Sequence, residues 1–304
     1  MCDHRQTTSQ NNSKMSALDS NYELLIRPNR RWLVVDWCEM YQYRGLLWQF
    51  VHRDFTSRFK QTLLGPLWFV INPLITTVVF AIIFGRVLGA SPEGVPALLF
   101  FNAGLLAWNY FAGVLSSTGN TLQGNIHLFG KVYFPRLIVP LAQVVSNLLA
   151  FVVQLLTFGL LVMYVQNTDP NFANLHFGYR LLWLPILTVH IAVLALGGGL
   201  VLSAMTAKYR DMQNAVSFIV SSLMFVTPIM WPLSMLQVKF PQYYEIFVLL
   251  NPLIGIVEAF RLVLIGVGSF SLGYYAISIG ISVVILLVGI ALFQRAARSF
   301  VDHA

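Results

Sequence analysis

Six stretches of this chain run uninterrupted by Asp, Glu, Lys or Arg: Leu67–Gly85, Ala97–Leu115, Leu137–Val165, Leu181–Met205, Ala215–Leu236 and Leu272–Phe293. Each is close to the roughly 20 apolar residues that a helix needs to cross a bilayer core of about 30 Å. In that core no water can pair a free N–H or C=O, so the backbone must close its hydrogen bonds within the segment or within a barrel. Barrel strands would alternate over short segments, which these runs do not. A content of 57% hydrophobic against 10% charged residues excludes an ordinary soluble domain. A seventh apolar stretch, Ile246–Val267, is interrupted by Asn251-Pro252, Glu258 and Arg261 and reads as two half-length helices. The expected fold is therefore all-α and polytopic: six transmembrane helices over 67–298, with a re-entrant pair between the fifth and sixth spans in an external segment, 238–268.

An even number of spans puts both termini on one side. Fifteen of the nineteen Lys and Arg residues fall on the face that carries the termini, nine of them before Leu67. Basic residues mark the cytoplasmic face, so the reading is a multi-pass protein of the cytoplasmic (inner) membrane with both termini inside. The net charge of +7 then reflects topology and attraction to anionic lipid, not nucleic-acid binding. Residues 1–22, rich in Ser, Asn and Gln and lacking the apolar core of a signal peptide, read as a disordered cytoplasmic tail. Residues 299–304 form a second tail. Cys2 and Cys38 lie on the reducing side, so no disulfide framework is expected.

The segment 23–66 is cytoplasmic or interfacial. Leu47, Val51, Phe55, Phe59 and Leu63 recur at intervals of four, while Arg53, Asp54, Ser57, Lys60 and Gln61 turn largely the other way. This predicts an amphipathic helix in the headgroup plane, ended by Gly65-Pro66. The loop after the second span, 119–135, holds a possible short helix over Leu122–Phe129, ended by Gly130 and stopped by Pro135. A soluble partner could grip it. Gly124 and Gly130-Lys131 do not make a phosphate-binding loop, since five residues separate the glycines and Val132 stands where Ser or Thr is needed. No other stretch fits one.

Taken in order, Arg53-Asp54 with Arg58, Phe59 and Lys60, then Leu64-Gly65-Pro66 and Trp68, begin a pattern. Asn125, Leu128 and Lys131 before Phe134-Pro135, Tyr209-Arg210-Asp211, Thr227-Pro228-Ile229, and Asn251-Pro252 with Arg261 continue it. Over roughly residues 46–298 the chain resembles the permease subunit of the type-2 ABC exporter family, in the branch that exports O-antigen, capsule or teichoic-acid polysaccharide. The resemblance implies a homodimer bound by two copies of a separate nucleotide-binding ATPase. That subunit would hold ATP and Mg, and no cofactor, metal or catalytic group would belong to this chain. It also implies that 119–135 is the coupling loop, with Asn125, His127, Leu128, Phe129 and Lys131 facing the ATPase, and that the half-helices form an external gate.

A lipid-linked glycan poses a physical problem that a lined path solves, because uncompensated hydroxyls cost roughly 2–7 kcal/mol each to bring into hydrocarbon. Trp108, Tyr110 and Phe111, deep in the second span, are the candidates for that path, since aromatic faces stack on sugar C–H surfaces. Arg53, Arg58 and Lys60 are the candidates for the lipid-phosphate headgroup, against generic attraction to anionic lipid. Glu258 and Arg261, spaced i, i+3, could pair as a lock in the gate. Asn72, Gln143, Asn147, Gln154 and His190 read as interhelical hydrogen-bonding groups, and Gly197-Gly198-Gly199 as close helix packing. An ion-driven secondary transporter would show repeats and a midplane carboxylate, and no span holds an Asp or Glu. A membrane ligase or polymerase would need convergent acid and base groups on one aqueous face, which the short external loops do not supply. A permease for drugs or other lipids stays open within the same family.

Overall fold

A computed structural model describes residues 37–60, 62–90, 94–129, 134–168, 178–209 and 211–301. The expected tail over 1–22 and Lys131 lie outside these, as does the second tail beyond Val301. All regular secondary structure among the described residues is helical. Five helices are long and apolar enough to span a membrane, and a sixth unit is a bent pair.

Two helices precede the spans, α1 (Trp37–Gln42) and α2 (Arg44–Phe59). The first span is α3 (Trp68–Phe80), entered through a tight turn at Gly65–Leu67 and prolonged by a π-type segment, Ala81–Val87. Gly65 takes φ +50, a left-handed conformation that costs glycine least. The second span is α4 (Ala97–Gly119), followed by α5 (Thr121–Gly124) and α6 (Ile126–Phe129). Next come α7 (Ile138–Thr168), α8 (Leu184–Lys208) and α9 (Met212–Val226). The short α10 (Leu233–Lys239) leads to α11 (Pro241–Leu250) and α12 (Pro252–Ile265), bent 96° to one another. The last span is α13 (Leu272–Val301).

Two hydrophobic clusters organise the bundle. The larger centres on α4, the most enclosed span, and reaches α7, α8 and α12. The smaller gathers Phe50 and Val51 of α2, Leu122, Phe129, Phe134, the start of α7 and Phe293 and Ala297 of α13. α2 and the last turns of α13 therefore share one end of the bundle, here called the terminal end. Packing of α8 on α13 follows from glycine: a Cβ on Gly197 would lie 2.7 Å from the backbone of Leu286, and one on Gly289 would lie 2.5 Å from the Gly197 carbonyl oxygen. The GGG stretch is a close-packing face, as small residues let membrane helices approach.

Three expectations change. The expected fifth span, 215–236, is broken. α9 holds 15 residues, about 22 Å at 1.5 Å per residue, and stops where Pro228 forces Thr227 into extended backbone (ψ 138). The short helix expected over Leu122–Phe129 is split in two by Asn125, whose side-chain amide donates to the Thr121 carbonyl. The amphipathic α2 ends at Phe59, leaving Leu63 outside it and exposed. Its apolar residues Phe50 and Val51 are covered by protein, with Phe50 against Phe134 at 5.8 Å. The bundle's own apolar end thus covers part of this face, while Leu47 and Phe55 stay partly exposed.

Candidate functional site

Two polar assemblies stand out against the apolar bundle, one at each end. At the terminal end, Asp54 of α2 accepts from Arg53 Nε and Nη2 through Oδ1 (3.0 and 2.9 Å) and from Gln143 Nε2 of α7 through Oδ2 (2.6 Å). Arg53 Nη2 also donates to Asn125 Oδ1 at 3.3 Å, tying α2 to the α5–α6 turn. One turn further along α2, Arg58 Nη1 donates to Asn147 Oδ1 at 3.1 Å. Desolvation lowers the Arg58 guanidinium from its ordinary value and Asp54 opposes the shift, although the residue as a whole is still exposed. Asn147 Nδ2 donates to Ser117 Oγ of α4 (3.0 Å) and to the Gln143 carbonyl (2.7 Å). The amide thus uses both its donor hydrogens and its acceptor. It fits because residue 113 is glycine: a Cβ there would sit 2.8 Å from Asn147 Oδ1.

The α5–α6 turn rests on α8. Leu122 N donates to Ser203 Oγ, Thr206 Oγ1 donates to the Gly119 carbonyl, and Gln123 Nε2 donates to the Thr206 carbonyl. Of the expected coupling residues, Asn125 and Leu128 are partly exposed. Phe129 is buried, its ring 5.7 Å from Phe134, so it holds the turn from beneath. His127 lies in α6, and Lys131 is outside the described residues.

At the far end, α12 carries an ion pair. Arg261 Nη1 donates to Glu258 Oε1 at 2.8 Å, with the two side chains 0% and 4% exposed. Arg261 Nη2 donates to the Ile229 carbonyl at 3.0 Å, and its guanidinium lies 3.8 Å from the Phe100 ring centroid. Glu258 Oε2 accepts from Ser269 N. The Ile229 carbonyl is available because Pro228 ended α9 and the chain folded into a tight turn, Ile229 N to Thr227 O at 2.7 Å. Asn251 joins the same knot: its Oδ1 caps α12 at Leu253 N and its Nδ2 donates to Thr227 Oγ1. The Thr-Pro and Asn-Pro motifs, remote in sequence, meet here. Gly104 of α4 makes room, since a Cβ on it would lie 2.9 Å from Arg261 Nη2.

The other expected site residues fall differently. Arg53 and Arg58 give some of their hydrogen-bond donors to protein partners yet remain exposed, as is Lys60 just past the end of α2. Trp108, Tyr110 and Phe111 are buried within the single chain, Trp108 on Phe111 at 5.7 Å and Tyr110 on Phe151 at 5.1 Å. They are core side chains, because α4 is enclosed on most sides. Gln143 and Asn147, expected from the sequence as interhelical hydrogen-bonding groups, are that: Gln143 bonds to Asp54 of α2 and Asn147 to Ser117 of α4. Their i, i+4 spacing on one face of α7 is the signal that points further, whereas nothing in the sequence singles out Gly104 or Gly113.

Residues 45–265 match the family described as ABC-2 type transporter. The chain is similar to an O-antigen export system permease protein RfbA of Myxococcus xanthus, 28% identical over 73% of this chain and 81% of the relative. A protein of the same name from Klebsiella pneumoniae is 24% identical over 84% and 94% of the two chains. The polysialic acid transport protein KpsM of Escherichia coli is 26% identical over 80% and 90%.

Proposed function

The chain belongs to the ABC-2 type transporter family, its matched region running from α2 to the end of α12 and so containing the side chains of both polar assemblies, and from that premise we propose that it is the permease subunit of an ATP-driven exporter of a lipid-linked polysaccharide. The observation that carries the substrate class is the likeness, over most of each chain, to two proteins named for O-antigen export and to one named for polysialic acid transport. The working unit is a homodimer in the cytoplasmic membrane, with both termini inside. Two copies of a soluble ATPase, which hold ATP and Mg, sit against the α5–α6 turn.

The turn suits that role: it is a compact cytoplasmic knuckle, set on α8 by two hydrogen bonds of its own and a third from Thr206 to the last residue of α4, with Asn125 and Leu128 partly open for a partner to grip. Lys131, close behind it in sequence, adds a cation. Lys60 contacts the lipid phosphate as a point charge. The aromatic trio Trp108, Tyr110 and Phe111 backs the path from within α4 instead of forming its wall. The far-end knot on Glu258 and Arg261 holds the re-entrant gate shut against α4 and the end of α9.

Purification of the tagged chain from its native membrane tests this reading. A soluble ATPase should accompany it, and the reconstituted pair should hydrolyse ATP and move lipid-linked glycan into the vesicle lumen. A chain that retains no ATPase, or a pair that moves drugs or phospholipid while leaving glycan behind, would overturn it.

A further inference from the structure

The terminal-end assembly connects three elements through side chains: the α5–α6 turn through Asn125, the surface helix α2 through Arg53, Asp54 and Arg58, and the span α7 through Gln143 and Asn147. Ser117 and the Gly113 notch extend it to α4. We infer that this chain of hydrogen bonds is the relay by which displacement of the α5–α6 turn is passed to α7 and α4, with Asp54 and Gln143 as its positioning pair. The inference rests on the exporter reading, in which a motor moves that turn.

The geometry supports a relay over a surface tether for three reasons. Asp54 is mostly enclosed, 13% exposed, and its two oxygens serve different elements, Oδ1 facing Arg53 and Oδ2 facing Gln143. A carboxylate divided in this way couples its partners, since shifting one changes the geometry offered to the other. Arg53 in turn divides its Nη2 between Asp54 and Asn125. Asn147 has no donor left over, because Ser117 and the Gln143 carbonyl take both its amide hydrogens while Arg58 occupies its oxygen. Rotation of α2 therefore has to drag α7 or break charge-assisted bonds that partial burial makes stronger. The apolar contacts of α2 run the same way, Phe50 and Val51 sharing one cluster with Phe129 of the turn and Ile138 of α7.

The test exchanges donor and acceptor across the pair. In Gln143→Glu, two carboxylates face each other where an amide met a carboxylate. Export should fall by about tenfold, within the range of ordinary coupling energies, while the ATPase still co-purifies and still hydrolyses ATP. Adding Asp54→Asn restores one amide and one carboxylate with the roles reversed, and should recover most of the export. A third variant, Gln143→Leu, removes the bond without adding charge and should lower export with hydrolysis maintained. The relay is overturned if Gln143→Glu and Gln143→Leu export normally, or if the exchange variant, present in the membrane at the parental level, exports no better than Gln143→Glu. Loss of the ATPase from the parental chain would sink the exporter reading itself, and the relay with it, and is told apart by being seen before any substitution is made.

Discussion

Arg261 is the most deeply enclosed charge among the described residues, and its three contacts come from three elements: Glu258 on its own helix, the Ile229 carbonyl beyond α9, and the Phe100 ring on α4. A charge so placed is tolerable only while its partners are kept, and removing one partner of a buried pair costs about 3–5 kcal/mol. Glu258→Leu or Arg261→Met alone should lower the thermal midpoint of the detergent-solubilised protein sharply. The double variant should regain much of the loss, because it leaves no orphaned charge. Single variants as stable as the parent would remove the lock. Gly104→Ala should act on the same group from the other side, since the methyl would enter the space held by Arg261 Nη2. It should weaken the doubly substituted Glu258–Arg261 background less than the parent, which a thermal-shift double-mutant cycle would read.

Among the elements, α8 and α13 meet most closely, and the contact depends on missing atoms. Gly197→Ala should destabilise by about 1–3 kcal/mol as an overpacked interface does, read as lower thermal stability with no change in how much protein is inserted. Trp108→Ala should cost about 3–5 kcal/mol by cavity formation, so folded protein and export should fall together; export lost from a normally folded chain would return Trp108 to the path. Most of these elements were legible in the sequence, because a charge-free run of spanning length is hard to satisfy anywhere but in lipid, and Asn251-Pro252 announces its own bend. The fifth span was not. Its composition is continuous through Thr227-Pro228, and hydropathy says nothing of the carbonyl that a proline turn frees, nor that an arginine 32 residues later will claim it. The surface helix was legible in kind but not in partner: spacing reports an apolar face, and only the assembled bundle shows that protein covers it. Asn125 split the helix expected over Leu122–Phe129 for a related reason, since a side chain that bonds its own backbone competes with helix propagation.

For the whole molecule, the sidedness of charge makes a prediction of its own. With Cys2 and Cys38 replaced by Ser, a cysteine at Lys239 should react with an impermeant maleimide on intact cells, and one at Lys60 only after the membrane is opened. The opposite pattern, with the Lys60 position labelled from outside and the Lys239 position only after the membrane is opened, would reverse the orientation. The two polar assemblies also share a design that bears on which changes the chain can survive. Each end of α4 carries a glycine whose absent Cβ admits the head of a polar side chain, Asn147 at Gly113 and Arg261 at Gly104. Conservative logic would rate glycine to alanine as the mildest edit a membrane helix can receive, and at an ordinary position it adds helix propensity. In a saturation scan of α4 these two positions should instead be among the least forgiving, ahead of many of the large residues around them. The intolerance would come from space already occupied, so a map of tolerated substitutions along this helix would outline the polar heads it encloses.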